Sequence, residues 1–158
     1  MIDYENMRRI IVKGLKDYLG CPVIRNNQNE APPDYPFVSY TVTTLMRANN
    51  GTYGEYDDNV YRKPTVQTWS VTAQSSNNSE SVSLISKARE WFDRAGTLYL
   101  NDNNVIVQSV GSITNRDNVL TVGYEYKNGF DVDFWLFETV GDTDTEIIET
   151  ADISTNQI

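Results

Sequence analysis

Apolar residues recur at helical spacing at the start of the chain. Met7, Ile10, Ile11, Leu15, Tyr18 and Leu19 share one face, Asp3 is placed to cap it, and Gly20 and Pro22 stop it. The spacing predicts a helix to about Leu19. Pro22 to Arg25 is a short apolar piece, and Asn26 to Pro36, with three prolines and three asparagines, reads as loop. Phe37 to Arg47, rich in Val, Thr and Tyr, reads as a strand, and Asn49 to Pro64 as a second long loop. From Gln67 to Ala73 the pattern alternates, with Trp69, Val71 and Ala73 on one face and Thr68, Ser70 and Thr72 on the other, as in a half-buried strand. Asn77 with Glu80 resembles a capping box opening a second helix to about Ala95, with Leu84, Ile85, Ala88, Trp91, Phe92 and Ala95 buried and Gly96 as C-cap. Val105 to Thr114 and Val119 to Lys127 read as strands around the polar turn Asn115-Arg116-Asp117-Asn118. Asn128-Gly129, between alternating runs on either side, predicts a tight hairpin.

These elements predict an α+β domain: a largely antiparallel mixed sheet, two helices on one face, and long loops. A chain of 158 residues is long enough for one self-sufficient core. Charge changes the picture at the end. The net charge is −9, yet the last eighteen residues carry Asp142, Asp144, Glu146, Glu149 and Asp152 with no Lys or Arg, leaving −4 for the rest. The expected organisation is therefore a domain over residues 1–140 and a flexible acidic C-terminal arm over 141–158, either an ordinary terminus or a segment that orders on a partner. On the first helix, Arg9, Lys13 and Lys16 form a stripe of their own, read as a solvated face rather than an anion site.

Composition removes several classes of chemistry. There is no histidine and only Cys21, which excludes Ser-His-Asp and Cys-His catalysis, zinc sites with His or multiple Cys ligands, and an internal disulfide. No P-loop or GxGxxG is present. Glu55, Asp57 and Asp58 lack the oxygen-ligand spacing of a calcium loop and read as a solvated acidic loop. No catalytic, metal or cofactor residue is assigned, and the acidic balance argues against sequence-specific DNA binding. No stretch is long and apolar enough for a membrane span, and Met1 to Glu5 does not look like a signal peptide, so the chain is expected in a reducing cytoplasm or in a particle assembled there. Interaction by surface remains. The expected contact residues are Tyr53, Tyr56 and Tyr61 with Arg62 and Lys63, since tyrosine gives contact area at low entropic cost, and Asp131 and Asp133, read as solvent-facing guards against edge-to-edge pairing.

Three segments carry a resemblance. They are Tyr35-Pro36-Phe37-Val38-Ser39-Tyr40-Thr41-Val42-Thr43-Thr44, Gln67-Thr68-Trp69-Ser70-Val71 with Ala88-Arg89-Glu90-Trp91-Phe92-Asp93, and Val107 to Asn118 followed by Tyr124 to Val132. Together they resemble the tail (neck) terminator proteins of long-tailed bacteriophages of Gram-positive hosts, over Tyr35 to Glu138 and not beyond Val140. The resemblance implies a homo-hexameric ring on the head-proximal end of the tail tube. Such a ring would cap tube polymerisation, contact the major tail protein and the head-completion or stopper protein, and let genomic DNA pass through a lumen that negative charge would suit. It implies no enzyme, no cofactor and no membrane partner. Two other readings stay open: a head-completion or tail-completion protein of the same neck, and a monomeric binding module using the tyrosine-bearing loop.

Overall fold

The computed structural model describes residues 3–26, 30–48, 55–57, 60–120 and 123–140. The first helix, α1 (Tyr4–Leu19), begins where Asp3 accepts the Asn6 N–H and ends with Gly20 in the left-handed region. Its inward face is Met7, Ile11 and Leu15, whereas Tyr18, expected on that face, is 42% exposed where the last turn runs off the core. A short strand β1 (Val23–Arg25) pairs parallel with β2 (Phe37–Ala48), and this pair makes the sheet mixed.

The predicted loop from Asn49 to Pro64 is partly strand. It contains β3 (Glu55–Asp57) and the first residues of β4 (Val60–Ser75). The β2 pairing of β4 ends at Thr65 and the β3 pairing begins at Arg62. Pro64 falls in that gap, where its missing N–H need cost the sheet no bond.

Helix α2 (Asn78–Glu90) opens on the expected cap, with Asn77 Oδ1 accepting from the Glu80 N–H at 3.3 Å. The return bond is relayed: Ser75 Oγ donates to Glu80 Oε1 (2.6 Å) and accepts from the Asn77 N–H (3.1 Å). The helix does not run on to Ala95. A π-helical turn (Trp91–Ala95) follows, and after Gly96 a third helix α3 (Thr97–Asp102) begins. Ala95 is exposed, because the wider turn rotates it off the buried stripe. Gly96 has φ −98° and is no left-handed cap; it leaves room for the Trp91 indole, which a Cβ there would meet at 2.3 Å.

The remaining strands are β5 (Ile106–Val110), β6 (Thr114–Asn115), β7 (Asn118–Leu120) and β8 (Gly123–Val140). The sheet order is β1-β2-β4-β8-β5, with β3 beside β4, and β6 and β7 beside β8. The predicted Asn128-Gly129 hairpin does not exist: β8 passes straight through both residues, paired with β4 from Tyr61↔Val140 to Ser75↔Tyr126. The antiparallel partner that precedes β8 in the chain is β7, paired from Asn118↔Glu125 to Leu120↔Gly123. Asn128 is there for its side chain and Gly129 for its lack of one. Asn128 is buried and donates to Ser81 Oγ (3.1 Å), which in turn donates to the Ala73 carbonyl (3.1 Å), tying α2 to the sheet. Gly129 makes space, since a Cβ would stand 2.6 Å from both the Val71 carbonyl oxygen and Arg116 Nη1.

The described helices lie on one face. The core joins Met7, Ile11, Leu15, Ile85, Ala88, Trp91, Phe92 and Leu100 to one parity of the strands: Val38 and Tyr40, Trp69, Val71 and Ala73, and Phe130, Val132, Phe134 and Leu136. Phe92 is fully buried, edge-on to Phe130 (5.9 Å) and Phe134 (5.8 Å). Phe92→Ala should cost about 3–5 kcal/mol, read as a lower midpoint in chemical denaturation; an unchanged midpoint would place the ring outside the core. Gly129→Val should destabilise by about 1–3 kcal/mol through overpacking rather than through a turn. Gly129→Ala should already show much of that loss in the same measurement, which a turn defect caused by β-branching would not.

Candidate interaction surface

The face of the sheet opposite the helices carries the other strand parity: Thr41, Thr68, Ser70, Thr72, Ser109, Asp131 and Asp133. Among the described residues no helix covers it, and its hydroxyls and carboxylates are tied together. Arg116 lies across the strands, with Nη1 donating to Ser70 Oγ (2.6 Å) and Thr72 Oγ1 (3.0 Å), and Nη2 donating to Asp131 Oδ1 (3.2 Å). The gap left by Gly129 lets the guanidinium lie that close to β4. Asp133 accepts from Thr68 Oγ1 (2.6 Å) and Ser109 Oγ (3.2 Å), and Arg47 Nη2 stands 3.5 Å away.

Asp131 and Asp133 are thus on the solvent face, as the alternation predicts, but they do not guard an edge. β8 has β4 on one side and β5 to β7 on the other, so it has no free edge at these positions. Their work is to anchor Arg116 and Arg47. Next to them, Asp117 holds the turn before β7. Burial alone would raise its carboxyl, but bonds from Asn115, the Lys127 N–H and Tyr124 prevail and hold it below the usual carboxylate range.

The other predicted contact residues lie elsewhere. Tyr53 falls outside the described residues, as does Asp58 of the acidic loop. Tyr56 on β3 pairs in register with Tyr61 on β4, next to Arg62, and Lys63 is exposed opposite Glu138. Lys63 precedes Thr68, the partner of Asp133, by five residues, or about 17 Å of strand. The tyrosine and basic residues therefore form one group at the far end of the β4–β8 ladder, and the two aspartates another on the body. Arg116 and Arg47 were not among the predicted contacts. The signal available was the run Thr68, Ser70, Thr72, a polar strand face that an arginine can bridge.

A third surface is the outward side of α1. Arg9, Lys13 and Lys16 are all exposed, as predicted, and no ion pair among the described residues includes them. Glu5, which could have balanced them, is bound to Arg8. No cluster of His, Cys, Asp or Glu among the described residues could hold a metal ion, and no helix among them is long and apolar enough to cross a membrane.

No curated protein matches the sequence. One solved structure aligns over 85% of this chain and 96% of its own at 15% identity with a TM-score of 0.40, a likeness too slight to bear on function. The family described as phage neck terminator protein matches over residues 9–158, so the match takes in the first helix from Arg9 onward and runs through the acidic segment beyond Val140. A match of that extent, on a sheet with helices packed on one face, makes this chain a member of the phage neck terminator family, a structural family of the phage tail.

Proposed function

We propose that this protein terminates the phage tail: copies close into a ring, six by resemblance, at the head-proximal end of the tube. There the ring stops the major tail protein from polymerising and joins the tube to the head-completion or stopper protein. DNA crosses the ring's lumen without being read. Family membership over residues 9–158 carries the reading. The chemistry of the chain suits it. Ring closure needs two different, mutually complementary surfaces on every copy and no reacting group. The tied polar sheet face, the tyrosine-bearing end of the β4–β8 ladder and the basic side of α1 are three distinct surfaces available for self-contact, tube contact and head contact. A net charge of −9 disfavours tight binding to phosphate and suits a wall past which a genome must slide. The virion neck, after assembly in the host cytoplasm, is where such a protein works.

In a phage with an early stop in this gene, heads should fill with DNA while tails fail to join them and tubes grow past their normal length, as electron microscopy of the lysate would show. Unattached tubes of normal length would move the protein to head completion. Complete infectious particles would sink both neck readings and leave the monomeric binding module.

A further inference from the structure

Every copy of this chain is strongly acidic, and copies that must touch need a local pairing of opposite charge to overcome that repulsion. The adjacent bases Arg9, Lys13 and Lys16 are free to supply one side of it. They sit at i, i+4 and i+7 on the side of α1 directly away from the buried Met7, Ile11 and Leu15. Asp17, four residues after Lys13, forms no ion pair with it. The densest opposite charge in the sequence is the segment after Val140, with five acids and no base.

The fold sets where that segment starts. The first turn of α1 shares a hollow with Trp69 and Gln67 through Tyr4, Glu5 and Arg8, and its last residue, Leu19, lines another with Asn77. α1 therefore spans the level of β4 from about Gln67 to about Ser75, packed beside β1 and α2, and the ladder continues past its N-terminus from Val66 to Tyr61, roughly 20 Å at the rise of a strand. Val140 pairs with Tyr61 at that far end, so the chain leaves β8 heading away from its own α1. The eighteen residues that follow can span up to about 60 Å, whereas Arg9 to Lys16 covers only about 10 Å of helix.

We infer that the acidic segment 141–158 of one copy docks along the Arg9, Lys13, Lys16 stripe of the next copy. The inference rests on the neck reading for its setting and adds the surfaces. A contact of this kind is heterologous: each copy gives an arm on one side and receives one on the other, which is what a closed ring requires. The family's match through residue 158 fits an arm that belongs to the shared domain rather than a private appendage.

Charge exchange tests it in the phage. Replacing Arg9, Lys13 and Lys16 by Glu, or the five arm acids by Lys, should each lower the yield of joined particles. Three exposed ion pairs of ordinary strength correspond to about tenfold in association. Combining both sets should restore the yield, since the pairing is kept with its sign reversed. Failure of the combination, with both variants folded by thermal melt, would overturn the inference. A covalent readout locates the contact. In particles carrying Lys13→Cys, Glu146→Cys and Cys21→Ser, oxidation should give a ladder of linked copies on a denaturing gel. A fast-migrating looped monomer would place the arm on its own helix, and unlinked monomer on particles that contain the protein would remove the contact altogether; either result overturns the inference and leaves the neck reading standing. Absence of the protein from particles would instead fail the neck reading. Loss of DNA retention in the Arg9, Lys13, Lys16→Glu variant with linking unchanged would reassign the stripe to nucleic acid.

Discussion

The fold hangs on one antiparallel ladder. β4 and β8 pair without a register shift from Tyr61↔Val140 to Ser75↔Tyr126, far longer than the five or six residues usual for a strand. Because side chains alternate with period two, that single register decides both faces at once. It sets Val71 beside Phe130 and Trp69 beside Val132 under the helices, and Ser70 beside Asp131 and Thr68 beside Asp133 on the open side. A slip of one residue would bury the aspartates and expose the phenylalanines. Everything else is attached to this pair: β2 and β3 along the outer flank of β4, and β5, β6 and β7 in succession along β8.

The same ladder explains which parts of the structure were legible in the sequence. α1 and the start of α2 were readable because their caps, Asp3 and Asn77, and their apolar faces lie within a few residues of each other. So was the split of Trp69, Val71 and Ala73 from Thr68, Ser70 and Thr72, which is local alternation. Asn128-Gly129 was misleading for the opposite reason. The turn preference of the dipeptide is a local term of about 1 kcal/mol. Against it stand the buried bond from Asn128 to Ser81, the burial of Phe130, Val132 and Phe134, and the passage of Arg116 over Gly129, all made with residues distant in sequence. The π turn at Trp91 was invisible for a similar reason: the indole is seated against Gly96 and Gly14, and Gly14 is on another helix.

The contact surfaces were legible unevenly. Parity placed Asp131 and Asp133 on the solvent side, but their partners Arg47, Ser109 and Arg116 come from other strands and turns, and only the folded sheet brings them together. The tyrosine-bearing segment was picked for its composition, and the fold turns part of it into strand that prolongs the ladder beyond the helices.

The length of the ladder is, in physical terms, reach. The extension, β4 paired with β8 and flanked by β3, holds its end about 20 Å from the first turn of α1. It does so at little entropic cost once the ladder has formed, because each added residue pair extends an existing register. A flexible linker covering the same distance would lower the effective concentration of whatever it carries. Charge then selects among the surfaces such an extension can meet. Acidic copies repel at long range but are screened beyond about 8 Å at physiological salt. The exposed side of α1 is where unpaired positive charge is gathered among the described residues. Rigid reach and a complementary stripe of fixed spacing together favour one docking geometry over the many that sticky apolar surfaces would allow, and a closed assembly needs that selectivity more than it needs affinity.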